Sequence, residues 1–566
     1  MSKYNRKKEE VKPTVKNFMN EDAFLLKPKE ELVSTVMTTF LQNSYYEREG
    51  EIVKRITDLV DKVDPLFAAK LAIYARNDGN LRSVTHLVSA LLAKYVGGTD
   101  WGKRFYNRIV VRPDDMSEIV SAYANLNGMG LNDLKKIPNS IKKGFKEALE
   151  RLDAYQIDKY KMQNREVSLI DLVRLFHPKA TQKNAEAYKR LIEGKSLADL
   201  YSSKILEKEM TKAGQKTKDM TEKDKVEAKK EAITAVIDNV KGMPVMNLLR
   251  NLRNILLYAP DKVTEACEQL TIKDKIMNSR LLPFRFATAY SEIEKLSYYT
   301  EISSTKSSIQ FEDEKSSSLC SENEFRRNKE MVLNAIEKAL EISCLNIPKL
   351  EGNVAVLVDD SGSMRGDAGG SSRVSAFSKT STSMIAHLFA SMVMYRQDNI
   401  YLGLFGDKLI NVPVKRDMRL LDYTKWTFEK GGECGGATET GIYDFIRQVV
   451  KEKKKIDNVI VFSDCQIGSI HTKGYYGGYS EFTAWYGKNS SDRGKHFHEL
   501  FKEFRKINPN ANFIVVNLRQ SGSTSVFDKS QRILNIAGWS DKIFDVITSQ
   551  CKGWDAMIKE IESIEI

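Results

Sequence analysis

The sequence is short of the features that would place it in several large classes. Six cysteines are scattered over 566 residues, at Cys267, Cys320, Cys344, Cys434, Cys465 and Cys551. None forms a CxxC pair, which argues against a zinc site and against a disulfide framework. Isolated thiols of this kind are expected to be free and buried. Cys434 and Cys465 flank candidate metal ligands and are read as packing residues, since a thiolate is too soft for a hydroxyl–carboxylate site. No apolar run reaches membrane-spanning length. The opening MSKYNRKKEEVKPTVKNF is polar and lysine-rich, without the apolar core of a secretory signal, so a cytoplasmic protein is expected. Nowhere does a nucleophile stand beside an evident base.

What is present is a long, charged chain with ordinary core-forming content. With 42% hydrophobic and 29% charged residues it suits a soluble globular protein, and its length calls for two or more domains. Lysine and arginine number 88 against 76 aspartates and glutamates, a formal charge of +12. Such an excess suits a polyanion partner, although a solvated lysine-rich surface gives the same balance.

The pattern divides the chain near residue 350. From 20 to 345, segments such as DAFLLKPKEELVSTVMTTFL, EIVKRITDLVDKV, PLFAAKLAIYARN and SVTHLVSALLAKYV carry apolar residues at three- and four-residue spacing. Helix is expected to follow helix, without strands, as stacked pairs of degenerate repeats. Two stretches break the rhythm: Ser202–Ala232, rich in Lys and Glu, and the polar Ser303–Ser321. From residue 353 short apolar runs appear: NVAVLVDD, NIYLGLF, LINVPV, NVIVFSD and NFIVVNL. Helical patterns separate most of them, in TSTSMIAHLFASMVMYR, TGIYDFIRQVVKE and KHFHELFKEFRKI. Strand alternating with helix predicts a doubly wound α/β sheet, with ligands beyond the carboxyl ends of its strands. The expected division is a polar tail over 1–19, a helical-repeat domain over 20–350 and an α/β domain over 351–566.

Three strand-end segments of the second half carry hard oxygen donors. NVAVLVDDSGSM ends in Asp359, Ser361 and Ser363; GGECGGATETG presents Thr438; NVIVFSDCQ ends in Asp464. Two carboxylates and three hydroxyls suit Mg²⁺ or Mn²⁺ rather than zinc. The ordered DxSxS, Thr and Asp resemble the metal-ion-dependent adhesion site of von Willebrand A domains. That resemblance implies one open coordination position, filled by an acidic side chain of a partner. His471, His496 and His498 follow the last of these strands and are expected to lie at the surface or in packing.

The helical half resembles the TROVE family, named for telomerase, Ro and vault proteins. LAIYARNDGNLRSVTHLVSALLA, IPNSIKKGFKEALERLDAYQIDKYK with VSLIDLVRLFHPKA, and GMPVMNLLRNLRNI carry the likeness. With the A domain it spans nearly the whole chain, in the manner of the Ro autoantigen. The resemblance implies an all-α, HEAT-like ring of helical repeats followed by the A domain. It also implies small noncoding, Y-like RNA on the outer surface and single-stranded ends of misfolded RNA at a basic hole. A 3′-to-5′ exoribonuclease is an implied partner, and the protein is expected to be a monomer without enzymatic activity of its own.

Lys142, Lys143, Lys159, Lys161, Arg165, His177 and Lys179 form one basic stretch interleaved with Tyr155 and Tyr160, residue types that neutralise phosphates and stack on unpaired bases. A solvated basic helical face reads the same way. Within that stretch LFHPK resembles a family LSHxKP segment, which implies an RNA contact for His177. Arg250 and Arg253 share a helix face, and Arg76 and Arg82 flank a turn; these four are the candidates for the inner hole. Arg250 serves equally well as the partner of a buried carboxylate. Two alternatives stand beside the RNA reading: a metal-dependent module that docks acidic loops, and a metal-dependent phosphohydrolase or nuclease.

Overall fold

The computed structural model describes residues 15–16, 22–25, 27–38, 41, 49–79, 81–163, 165–201, 240–279, 281, 283–298, 321–366, 381–435, 441–464, 497–518, 524–525, 533–537, 543–544, 547–548 and 554–566. The Lys-rich stretch 202–232 lies outside them, as does nearly all of the polar stretch 303–321. These residues divide into two compact units. One holds Met1–Ile192, Lys349–Arg416 and Tyr423–Ile566; the other holds Glu193–Pro348 and Asp417–Asp422. The pattern boundary near 350 coincides with the passage from the second unit back to the first, which also takes in the helices before residue 193.

The first unit opens with short extended pieces, one in the expected polar tail and the next where helix was expected. Val15–Lys16 pairs antiparallel with Asp22–Leu25, which pairs in turn with Thr524–Ser525. The helical run begins only at Pro28 and ends at Thr38. Proline tolerates the first helical turn and disfavours helix in the residue before it, so the preceding residues take backbone partners in a ladder instead.

Beyond this, helices follow one another as the periodicity predicts, and the sequence places their starts. Pro65–Asn77 is capped by Asp64, whose carboxylate accepts from the Phe67 amide at 3.2 Å, with proline in the first turn. Leu169–Phe176 starts in a reciprocal box: the Ser168 amide donates to Asp171 Oδ2 at 2.9 Å and Ser168 Oγ accepts from the Asp171 amide at 3.4 Å. Gly102–Arg108 packs along Asn139–Glu150 through an edge-to-face run. Phe105–Tyr106, Tyr106–Phe145 and Phe145–Phe176 have centroids 4.9, 5.6 and 5.7 Å apart. A Cβ on Gly144 would lie 2.6 Å from Tyr106 Cβ, so this helix pair approaches closely because the position is glycine.

The α/β part of the same unit is one six-stranded sheet. Its order is Leu409–Val412, Ile400–Phe405, Val354–Asp359, Asn458–Ser463, Asn512–Asn517 and Ile533–Ala537. Every neighbouring pair is parallel except the first, where the Leu409–Val412 edge runs antiparallel. The apolar runs named above supply five strands, and Ile533–Ala537 adds a sixth. Alternate residues face opposite layers. Leu357, Val461 and Val515 pack with Phe445, Ile446 and Phe504 of helices Gly441–Glu452 and Phe497–Ile507. On the other face Phe462 stacks on Phe389 at 5.7 Å, within helix Thr382–Arg396. That helix is buried on nearly all sides, as expected of an element sandwiched in an α/β fold.

The C-terminal helix Trp554–Glu562 packs against Pro65–Asn77 and Pro28–Thr38, burying Met557 and Ile561. Lys29 Nζ lies 2.6 Å from Glu562 Oε1, and Lys70 Nζ donates to the Glu562 carbonyl at 2.5 Å.

The second unit gathers Val245–Tyr258, Val263–Leu270, Lys273–Ser279 and Pro283–Glu294 around Glu322–Ser343. Its Asp417–Asp422 piece is anchored by Arg419, which donates to Asn334 at 2.9 Å and to Glu337 at 3.1 Å. No described helix is long and apolar enough to cross a membrane.

Candidate metal centre and basic surface

The strand Val354–Asp359 delivers its last side chain, Asp359, to a fully buried position at the carboxyl edge of the sheet. The chain then turns so that the Ser361 amide donates back to Asp359 Oδ1 at 2.9 Å. Ser361 Oγ lies 3.1 Å from Ser363 Oγ, which donates to Asp464 Oδ2 at 2.5 Å. Asp464 follows the neighbouring parallel strand and is also fully buried. Asp359, Ser361, Ser363 and Asp464 are thus linked by one chain of contacts across two strand ends. Thr438 falls in 436–440, outside the described residues.

Sequence reasoning missed Ser463, whose hydroxyl donates to Asp359 Oδ2 at 2.5 Å. Burial, and then the neighbouring Asp464 carboxylate, push the Asp359 carboxyl up to about 8, against the pull of the Ser463 and Ser361 donors. Two buried carboxyl groups with hydroxyls at their side fit a hard divalent cation, which would take the place of the Asp359 proton. Among the described residues no three His, Cys, Asp or Glu side chains gather at a point, so the remaining donors here are hydroxyls. Cys434 is free and buried as expected; burial, with Asp360 nearby, raises its thiol to about 12.

Asp360 and His387 were also missed. Both are buried behind the DxSxS turn, with His387 Nε2 3.0 Å from each Asp360 oxygen. The doubled aspartate of VLVDDSGSM was the available signal.

The basic candidates separate by burial. Arg76 is 2% exposed, and its Nε and Nη2 donate to Asp115 Oδ2 at 3.1 and 2.8 Å. Its place among the RNA-contacting residues is corrected: the guanidinium is spent inside the fold. Burial alone would raise Asp115. His86, at 2.9 Å, with Arg76 and the Arg112 amide outweighs it and holds the carboxyl well below the usual range. Arg82 is half-buried; its Nη2 donates to Asp114 at 2.7 Å, and Arg112 takes the same carboxylate at 2.8 Å.

Lys143, Lys159, Arg165, His177 and Lys179 are exposed, and Lys142 is half-buried. Lys159 Nζ sits 5.3 Å from the Tyr155 ring centre and 5.8 Å from that of Tyr160, while Arg112 covers Tyr160 at 4.8 Å. Lys161 is committed to Asp158 at 2.9 Å. His177 ends helix Leu169–Phe176 in a left-handed conformation, φ 48°, with its amide on the Val173 carbonyl at 3.0 Å. Arg112 was missed because nothing in RPDD marks it as surface. Arg250 and Arg253 are exposed on Val245–Tyr258 of the other unit, opposite a buried stripe of Leu248, Leu252 and Ile255. His471 and His496 fall outside the described residues.

The TROVE domain family matches residues 6–235 and 228–352, more than half of the chain. The crystal structure of the Deinococcus radiodurans RO (RSR) protein superposes on 93% of this chain and all of that one, with a TM-score of 0.58. At 16% identity this is a likeness of fold, and at 93% coverage it takes in both the helical half and the sheet of this chain. Telomerase protein component 1 of Mus musculus is 22% identical over 341 residues, 48% of this chain and 13% of the relative. Its Rattus norvegicus counterpart is 25% identical over 108 residues, 19% of this chain and 4% of the relative. The matched segments are thus small parts of these relatives, whereas the family match takes in the helical half from end to end: the chain belongs to the TROVE domain family.

Proposed function

We propose that this chain is a non-enzymatic RNA-binding protein of the Ro type. It holds small noncoding, Y-like RNA on its helical repeats and takes part in RNA quality control or decay, with a 3′-to-5′ exoribonuclease as partner. The observation that carries the reading is the exposed basic residues Lys143, Lys159, Arg165, His177 and Lys179, with the half-buried Tyr155 and Tyr160 in the same stretch, in a member of this family. Ammonium and guanidinium groups neutralise phosphates and release counterions, and ring faces take unpaired bases. Arg250 and Arg253, on a second exposed face, are assigned to single-stranded ends.

The A-type domain is assigned Mg²⁺ or Mn²⁺, held by Asp359, Ser361, Ser363 and Asp464 with Thr438 completing the set. A bound cation there offers an open position to a carboxylate oxygen of a partner. The chain's own residues fix the donors: Ser463 holds one Asp359 oxygen and the Ser361 amide the other.

Sequencing the RNA that co-purifies with the intact protein tests the main reading. Enrichment of small structured RNAs is expected. RNA at background level, or turnover of labelled RNA by the pure protein, overturns it.

A further inference from the structure

The Asp360 carboxylate, one peptide beyond Asp359, turns away from the candidate cation position and into the protein, where it is 1% exposed. Its Oδ1 accepts from Ser383 Oγ at 2.7 Å and from Arg365 Nη1 at 2.8 Å. His387 Nε2 donates to it at 3.0 Å, and the ring's Nδ1 lies 3.0 Å from Thr427 Oγ1. Arg365 donates again, to the Phe428 carbonyl at 2.8 Å, with its guanidinium 4.1 Å from the centre of the Phe428 ring. A Cβ on Gly431 would lie 2.1 Å from Asp360 Oδ2.

One buried carboxylate therefore ties together three segments. The first is the turn that presents Ser361 and Ser363. The second is helix Thr382–Arg396, through Ser383 and His387. The third is helix Leu420–Gly431, reached through Arg365, Thr427 and the bare Cα of Gly431. This last helix runs on through Gly432–Cys434 toward the segment that contains Thr438. A buried charge with several donors is a poor way to gain stability compared with an apolar filling. It is a good way to fix geometry, because each donor has one satisfactory position. Asp360 cannot shift without carrying Asp359 and Ser361 with it.

We infer that Asp360, Arg365, Ser383 and His387 are positioning residues that make cation affinity at the Asp359 site depend on how helix Leu420–Gly431 is seated. The inference rests on the metal reading given above. None of the four is itself assigned as a ligand.

Titration calorimetry with Mn²⁺ on the full chain tests it, with circular dichroism as the check on folding. Wild-type protein should bind and Asp359→Ala should not. Arg365→Met and Gly431→Ala should each lose affinity by roughly ten-fold while keeping all assigned ligands, the scale typical of residues that orient metal ligands. His387→Leu should lose affinity, and His387→Gln, which keeps a donor near the Nε2 position, should recover most of it. Val449→Ala shortens a core side chain elsewhere in the domain; it should lower the melting temperature and leave affinity alone. Wild-type affinity in both Arg365→Met and Gly431→Ala, or an equal loss in Val449→Ala, overturns the positioning role while the metal reading stands. Absence of Mn²⁺ binding by wild-type protein overturns the metal reading, and this inference with it.

Discussion

Two buried carboxylates, Asp115 and Asp359, are driven in opposite directions by what faces them. Asp115 receives Arg76, His86 and two backbone amides, Val111 and Arg112, at 2.8–3.1 Å. Its folded state prefers the anion, so its stabilising contribution is present above the ordinary carboxylate value of 3.8 and is lost as pH falls below it. Asp115→Ala would leave the Arg76 guanidinium buried and uncompensated. It should cost about 3–5 kcal/mol, read as an early thermal transition of the first unit. Asp359 is the reverse case. Its proton is held to about 8 against 3.8 in the open chain, so without a cation stability is greatest below 3.8 and falls as pH rises toward 8. Melting in EDTA should therefore drop between pH 5 and 8, and Mg²⁺ should flatten the decline by replacing the proton. A decline of equal size with and without Mg²⁺ would remove the cation from this site.

At the scale of elements, legibility followed how completely a segment's surroundings are written in its own residues. Strands flanked on both faces by helices read as unbroken apolar runs, as in NVAVLVD and NVIVFS. ILNIA, the sixth strand, breaks that run with Asn535, and LLDYTKWTFEKG mixes aromatic and charged residues, so neither stood out. Of the candidate site, Asp359, Ser361, Ser363 and Asp464 were legible because a strand-end motif is local. Asp360 with His387, and Arg76 with Asp115, were not, because their pairing spans 27 and 39 residues and only packing reveals it. The C-terminal helix is the clearest case of long-range dependence. Met557, Ile561 and Glu562 complete the surface of helices Pro28–Thr38 and Pro65–Asn77. Removal of residues 554–566 should then lower the melting temperature of the whole first unit. It should also speed amide exchange in Pro65–Asn77, whose Lys70 is 492 residues from its partner Glu562; unchanged exchange there would make the helix a passive appendage.

On the scale of the whole molecule, the net charge of +12 and its distribution decide what kind of RNA binding to expect. The exposed candidates are lysines, arginines and one histidine, with few side chains suited to reading base edges. Affinity should thus come mainly from counterion release and fall linearly in log–log form with salt, with a slope set by the number of phosphates neutralised. Lys143→Glu with Lys159→Glu should weaken every RNA tested and flatten that slope. Arg250→Glu with Arg253→Glu should act differently. A compact RNA with a blunt end offers backbone and shape, whereas a single-stranded 3′ tail adds unstacked bases and a flexible backbone. The double arginine change should erase a preference for tailed over blunt RNA and leave the compact RNA's affinity nearly intact. EDTA should alter neither result, since the cation is assigned to Asp359 and Asp464 and the RNA contacts to the helical repeats. Filter binding of matched tailed and blunt RNAs across a salt series measures all of this. Equal binding of the two RNAs by wild-type protein would dissolve the separate role given to Arg250 and Arg253, and loss of binding in EDTA would show that metal and RNA share one site.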